Sequence, residues 1–126
     1  MIRVALPWPP TPLWPNRRAH WRTKSKAASG YRSTAFYLCQ NVKGAIPETG
    51  PIQCSITFHP PNLIRRDWDN MLAAIKSGLD GIAQAYGIDD SRFQPGLMVG
   101  DTVTHGMVKV QLSWTDSQYG DGTKPC

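Results

Sequence analysis

The chain has 126 residues, enough for one domain with a hydrophobic core but too few for two. Its formal net charge of +5 favours nucleic acid, an anionic membrane surface or an acidic protein as partner. No stretch approaches the roughly 20 apolar residues of a membrane span, and the N-terminus lacks the apolar core of a signal peptide. Membrane binding is disfavoured because no basic amphipathic helix is evident. A soluble cytoplasmic protein is therefore expected.

The N-terminal third combines prolines, aromatic residues and basic side chains. Residues 2–6 have the pattern of a short strand, and the prolines that follow force an extended path. Trp8 and Trp14 indicate that this segment packs back on the domain, although a proline-rich ligand for a partner protein is an alternative. A helix is expected from about residue 25 to residue 43. Five basic residues precede or begin it and are candidates for nucleic-acid contacts: Arg17, Arg18, Arg22, Lys24 and Lys26.

The remaining elements define the fold class. Residues 52–58 alternate apolar and polar side chains, as in a strand with one buried face. A long helix is expected over residues 68–86, ended by Gly87, with an apolar stripe that includes Trp68. A weak strand near 97–104 and a clearer one over 107–114 follow. This order predicts an α+β (mixed α/β) domain, with two main helices packed on one face of a small mixed sheet.

The cysteines and the C-terminal tail carry no predicted function. The three cysteines are odd in number and lack a CxxC spacing, so they indicate neither a disulfide framework nor a zinc site. Cys39 and Cys54 are expected to be small core residues, whereas Cys126 lies on the tail. Residues 115–126 are polar and contain glycine, and we expect them to be disordered, leaving residues 1–114 as the single domain.

The most informative feature is a cluster of aspartates in a basic chain. Five of the nine acidic residues lie between positions 65 and 90: Asp67, Asp69, Asp80, Asp89 and Asp90. At about 100° per residue, Lys76 and Asp80 each point within roughly 20° of Asp69, along one edge of the buried face of the long helix. The helix is about 28 Å long, so Asp90 reaches Asp69 only if the chain folds back along the helix.

Each of these residues also has a purely structural interpretation. Asp67 or Asp69 is a suitable helix N-cap, Lys76 and Asp80 are a suitable i,i+4 pair, and residues 87–91 are a suitable turn. Converging carboxylates, however, repel by about 4 kcal/mol at 4 Å and an effective dielectric of 20, so they need a cation or a raised pKa. All-aspartate ligation suits Mg²⁺, with Mn²⁺ as a substitute, better than zinc.

The same residues carry a resemblance to a known family. The sequences Arg65-Arg66-Asp67-Trp68-Asp69-Asn70, Lys76-x-x-x-Asp80-Gly81 and Asp89-Asp90-Ser91 resemble those of the RusA family of Holliday-junction resolvases, as does the opening Leu6-Pro7-Trp8-Pro9-Pro10. The resemblance covers residues 2–114. It implies a homodimeric, Mg²⁺-dependent endonuclease that cuts four-way DNA junctions in recombination and repair, typically encoded by a phage or prophage and active in the bacterial host.

The resemblance also implies roles for individual residues. Asp67, Asp69 and Asp90 are the implied metal ligands, and Lys76 is the implied catalytic lysine. In the family pattern the lysine follows the asparagine by three residues, where this chain has Ala73; Lys76 lies one helical turn further on and returns to the same face. Trp68 replaces a residue that is usually aliphatic.

Supporting roles follow for the neighbouring side chains. Asp80 is a candidate to orient Lys76, with Asp89 as a further supporting residue, and Arg65 and Arg66 are candidates to hold flanking phosphates. Trp14, Trp21 or Tyr31 is a candidate to stack on an unpaired base, with core packing as the alternative. The competing function is a non-catalytic, basic nucleic-acid-binding module in which the aspartates are structural.

Overall fold

A computed structural model describes residues 1–15 and 18–115 of the chain. The predicted disorder of the tail, beyond residue 115, and the predicted DNA contact of Arg17 fall outside the described residues. The helices and strands are β1 (Ile2–Pro7), α1 (Trp21–Cys39), β2 (Ile52–His59), α2 (Trp68–Tyr86), β3 (Phe93–Val99) and β4 (Met107–Ser113), with short 3₁₀ turns at Thr11–Leu13 and Asp90–Arg92.

The strands form one mixed sheet in the order β1-β4-β2-β3. β4 lies antiparallel between β1 and β2, and β3 pairs parallel to β2 at the edge. In this parallel pair Ile52 lies opposite Phe93, and Phe58 lies opposite Val99. Parallel neighbours require a crossover connection, which α2 supplies. The chain therefore returns along α2 before β3 begins.

Both helices cover one face of the sheet, which confirms the predicted α+β fold. Alternate side chains of the strands point to this face and are fully or almost fully buried, including Leu6, Ile56, Phe58 and Val110. The helices contribute mainly their own apolar faces to the same core. Residues between these positions, such as Lys109, lie on the opposite, more exposed face. The period-two pattern of the strands thus produces a sheet with one buried and one open face.

Helix α2 has the predicted bounds, and its apolar stripe is buried as expected. Met71, Ile75 and Ile82 lie in the core. Gly87 adopts the left-handed conformation (φ 65°) that ends many helices, and its amide donates to the carbonyl of Ala83. The assignment of Trp68 to the buried stripe was wrong, because its side chain is 68% exposed. The helix begins at this residue, beyond the part that the sheet covers.

Two other elements differ from prediction. Helix α1 begins at Trp21, earlier than predicted, because the ring of His20 caps it by accepting a hydrogen bond from the amide of Arg22. Strand β3 begins at Phe93, not near residue 97. Pro95 and Gly96 obscure its strand pattern, yet an edge strand tolerates such residues.

The proline-rich segment packs on the domain, as the two tryptophans indicated. Trp14 is buried, and its indole N–H donates to the carbonyl of Pro9. Tyr31 of α1 donates its hydroxyl hydrogen to the carbonyl of Pro7 at 2.6 Å. The segment is therefore part of the core structure, which disfavours its use as an extended ligand.

Within the described residues, no helix is long and apolar enough to cross a membrane.

Close packing of the two helices predicts opposite effects of two Gly→Ala changes. A Cβ at Gly81 of α2 would collide with the backbone carbonyl of Arg32, whereas a Cβ at Gly30 of α1 meets nothing within 4 Å. We expect Gly81→Ala to lower the free energy of unfolding by about 1–3 kcal/mol, through overpacking. Gly30→Ala should raise it by about 0.5–1 kcal/mol, because alanine favours the helix. Urea unfolding measures both, and equal stabilisation by the two changes would contradict this packing.

The buried cysteines predict unreactive thiols. Cys39 and Cys54 are free and buried, and burial raises the pKa of both thiols, that of Cys54 to about 12. In a Cys126→Ser variant at pH 8, neither thiol should react with Ellman's reagent in the native protein, because too little thiolate is present. Both should react after unfolding in guanidinium. Rapid reaction of either thiol in the native state would contradict the burial of that cysteine.

Candidate active site

The amine of Lys76 is the centre of the ionic cluster on α2. Its Nζ donates to Oδ1 of Asp80 at 3.0 Å and to Oδ2 of Asp90 at 2.7 Å. Hydrogen bonding to Asp90, and then to Asp80, raises the pKa of Lys76, and the bond from Lys76 is the main cause that lowers the pKa of Asp90. Lys76 is therefore a protonated amine at neutral pH, and Asp90 is a carboxylate.

Asp90 lies in the short segment between the end of α2 and the start of β3. It begins the 3₁₀ turn that directly precedes that strand. Asp89, its neighbour, caps the same turn by accepting a hydrogen bond from the amide of Ser91 at 3.0 Å. The structural interpretation thus holds for Asp89, while Asp90 directs its carboxylate to Lys76. The i,i+4 contact between Lys76 and Asp80 also forms, so that pair has a structural role in addition to any catalytic one.

Asp67 and Asp69 lie at the opposite end of α2 from Gly87. Asp67 occupies the N-cap position with extended backbone angles (φ −78°, ψ 142°), yet its side chain makes no capping hydrogen bond. Asp69 is already helical, and its Oδ1 accepts from the amide of Asn70 at 3.0 Å. The helix starts between these two residues, so Asp67 has extended and Asp69 has helical backbone geometry. Both residues are exposed.

The predicted metal ligands fit a hard cation in chemistry but are not assembled into one site. Among residues 1–15 and 18–115, no three His, Cys, Asp or Glu side chains are grouped to hold a metal ion. Asp69 and Lys76 are seven residues apart, about 10 Å along the helix axis, and Asp90 lies at the Lys76 amine. The structure therefore brings Lys76 into contact with Asp80 and Asp90, and among the described residues neither Asp67 nor Asp69 joins these contacts by a hydrogen bond or ion pair.

A groove of about 500 Å³ lies beside Asp67. It is bordered by the proline-rich segment and by the loop that leads into α2, and its lining includes Trp8, Trp14, Arg65, Arg66 and Asn70. Arg65 is exposed, whereas Arg66 is half-buried with its guanidinium over the ring of Trp8. This side of the molecule thus offers a carboxylate, two guanidinium groups and aromatic walls in one concave surface.

The basic residues of the N-terminal third lie on the neighbouring surface. Arg18, Arg22 and Lys26 are exposed, and Lys24 is half-buried. Lys26 lines a shallow groove that also includes Trp8, and Trp8 lines the groove beside Asp67 as well. Of the aromatic candidates for base stacking, Trp14 and Tyr31 are core residues, whereas Trp21 is 67% exposed.

Two features of the site were not predicted from the sequence. Trp68, which lies between Asp67 and Asp69 in the sequence, exposes its indole at the surface. The contact of Arg66 with Trp8 joins residues 58 positions apart, and no local pattern indicates it. The sequence Arg65-Arg66 gave one signal only, a pair of positive charges next to an aspartate.

Comparison with known proteins identifies the family. No protein-family model matches the chain. It is 37% identical over 126 residues to an uncharacterized protein of Xylella fastidiosa, covering 97% of this chain and 82% of the relative. It is 30% identical over 120 residues to a protein named crossover junction endodeoxyribonuclease RusA from Escherichia coli O139:H28, covering 94% and 95% of the two chains. The protein of that name from Escherichia coli K12 is 30% identical over 105 residues, covering 82% and 85%. The chain belongs to the RusA family.

Proposed function

We propose that this protein is an endodeoxyribonuclease that cuts Holliday junctions or related branched DNA in recombination and repair. The single observation that carries the proposal is that the Lys76 amine of α2 lies 2.7 Å from Oδ2 of Asp90, on a helix that has Asp67 and Asp69 at its N-terminus. In a member of the RusA family, these are the residues that the resemblance assigns to catalysis. Asp67, Asp69 and Lys76 are exposed and the Asp90 side chain is partly exposed, so all four are accessible to a DNA backbone.

Mg²⁺ is the proposed cofactor, with Mn²⁺ as a substitute, and Asp67, Asp69 and Asp90 are the proposed ligands. The Asp67 carboxylate accepts no hydrogen bond among the described residues, so its lone pairs are available. Oδ2 of Asp90 accepts the hydrogen bond from the Lys76 amine. When bound, the ion supplies a Lewis acid that lowers the pKa of a water molecule and offsets negative charge on the phosphate. The all-oxygen donor set suits such a hard cation.

Lys76 has the role of a fixed positive charge in this proposal. Because its pKa is raised by Asp90 and Asp80, it stays protonated and is a poor general base at neutral pH. A protonated amine stabilises charge that develops on phosphate or leaving-group oxygens, and it has a proton to donate. Asp80 and Asp90 orient the amine, which reduces the conformational freedom of a long side chain.

The basic surface supplies the proposed DNA contacts. Exposed cations that neutralise phosphates release bound counterions, so binding should weaken as salt increases. The residues proposed for these contacts are Arg17, Arg18, Arg22, Lys24, Lys26 and Arg65, whereas the guanidinium of Arg66 is engaged within the protein. We further propose that the protein acts as a homodimer, because resolving a junction requires cuts in two equivalent strands. The proposed location is the cytoplasm of a bacterial host, and the proposed origin is a phage or prophage gene.

A non-catalytic nucleic-acid-binding module is the second candidate function. The roles of Asp89 in capping a turn and of Asp80 in an i,i+4 ion pair favour it, because such contacts need no chemistry. DNA cleavage distinguishes the two functions. Only a nuclease should cut DNA and lose that activity when a proposed metal ligand is replaced by a neutral residue.

Replacing Asp69 by asparagine tests for catalysis. Asp69→Asn removes one charge from the proposed metal site and keeps the side-chain shape. We expect Mg²⁺-dependent cleavage of a synthetic four-way junction to fall by at least about 100-fold, while junction binding is unchanged or tighter because a repulsive carboxylate is gone. Three-way and linear DNA serve as substrate controls. If the variant cleaves as fast as wild type, the catalytic assignment is wrong.

The adjacent aspartates provide a matched pair of variants. Asp90→Asn loses the charged partner of Lys76, so we expect single-turnover cleavage to drop by about 10- to 100-fold. Asp89→Asn retains an oxygen that accepts the hydrogen bond from the amide of Ser91, so cleavage should stay within about threefold of wild type. Circular dichroism checks that both variants fold. Equal losses of cleavage rate in the two variants would mean that cleavage depends on the turn and not on the contact between Asp90 and Lys76.

A further inference from the structure

We propose that Arg66 is a positioning residue, which anchors the loop before α2 to Trp8 and thereby fixes where the Asp67 carboxylate lies. This inference rests on the proposed nuclease function, since it assigns Arg66 a part in the reaction and separates it from its neighbour Arg65. It differs from a phosphate-holding role because the guanidinium is engaged within the protein.

Three contacts hold the Arg66 side chain. Its Cζ lies 5.2 Å from the centroid of the Trp8 ring, within the range of a cation–π interaction. Its Nη1 donates to the carbonyl of Ile64 at 2.8 Å, and its Nη2 donates to Oδ1 of Asn62 at 2.9 Å. The same Asn62 oxygen accepts from the amide of Ile64 at 3.1 Å. Arg66 therefore closes the loop on itself and docks it on the aromatic ring.

Trp8 is itself fixed by the core. It stacks on Trp14, with ring centroids 5.4 Å apart, and meets the edge of Phe58 of β2 at 5.9 Å. On another side it abuts Gly106, where an added Cβ would lie 2.9 Å from the indole; this glycine also has a positive φ of 75°. The ring is thus a rigid platform that connects the sheet to the loop.

The loop has few other attachments. Leu63 and Ile64 are 92% and 68% exposed, so their side chains contribute little packing. Asp67 follows Arg66 directly, and its carboxylate makes no capping hydrogen bond that would orient it. Its carbonyl, by contrast, accepts from the amide of Met71 at 3.1 Å, as the first bond of the helix. The direction of the carboxylate therefore depends on the backbone that Arg66 holds.

Arg65 is the matched control. It is exposed and makes no side-chain hydrogen bond or ion pair among residues 1–15 and 18–115. It carries the same charge one position away and lines the same groove beside Asp67. A general loss of positive charge should therefore affect Arg65 and Arg66 variants alike, whereas a loss of positioning should affect Arg66 alone.

The kinetic test compares Arg66→Gln with Arg65→Gln on a four-way junction. For Arg66→Gln we expect the single-turnover rate at saturating protein to fall by about 10- to 100-fold, with the junction Kd, measured without Mg²⁺, within about threefold of wild type. For Arg65→Gln we expect a weaker Kd and a shallower salt dependence, by about one phosphate contact, with an unchanged rate at saturation. Arg66→Lys keeps a cation for Trp8 and should recover part of the rate.

Hydrogen exchange gives a readout that does not need nuclease activity. Peptides covering residues 61–70 should exchange several-fold faster in Arg66→Gln than in wild type or in Arg65→Gln, because the loop loses its attachment. If wild type cleaves no DNA, the proposed function fails while this measurement still tests the positioning role. The inference is overturned if Arg66→Gln shows a weaker Kd, an unchanged saturating rate and unchanged exchange, which is the behaviour expected of Arg65→Gln.

Discussion

Burial of the apolar stripe of α2 against the sheet is the constraint on which the candidate site depends. Met71, Ile75 and Ile82 are buried by this contact, which fixes the rotation of the helix about its axis. Lys76 and Asp80 then have to lie on the exposed edge, since they are about a quarter-turn away from the stripe. The hydrophobic effect thereby orients polar side chains that contribute little to the stability of the domain themselves.

The second requirement is the path of the chain after α2. Because β3 pairs parallel to β2, the polypeptide has to return to the end of the sheet where β2 begins. Helix α2 makes this return, and the short segment between α2 and β3 carries Asp90, whose carboxylate contacts the Lys76 amine. A parallel edge strand thus has a consequence for chemistry, since an antiparallel hairpin in its place would leave Asp90 elsewhere.

The sequence predicted best those features that depend on local periodicity. The bounds of α2, the left-handed Gly87 and the alternating strands follow from patterns within a few residues. Trp68 was misassigned because helical periodicity continues beyond the point where the sheet stops covering the helix. The start of β3 was missed because Pro95 and Gly96 are tolerated only at an edge, and edge position is a property of the whole sheet.

The sequence indicated candidate site residues but few of their contacts. The aspartates and Lys76 were identified from spacing and from the resemblance, and the pairing of Lys76 with Asp80 follows from helical geometry. The contacts Lys76–Asp90 and Arg66–Trp8 join separate elements, so they depend on the tertiary fold. The same limit applies to the proposed ligand set, because the position of Asp90 relative to Asp67 and Asp69 also depends on the tertiary fold.

Location of the bound cation is the most direct test of the metal-dependent account. Anomalous diffraction from crystals soaked in Mn²⁺ shows where the ion binds, independently of any DNA substrate. The account predicts an ion near the start of α2 that is coordinated directly by carboxylate oxygens of Asp67, Asp69 and Asp90, the three proposed ligands. Absence of an ion there, or an ion bound only by Asp80 and Asp90 with the Lys76 amine displaced, would contradict it.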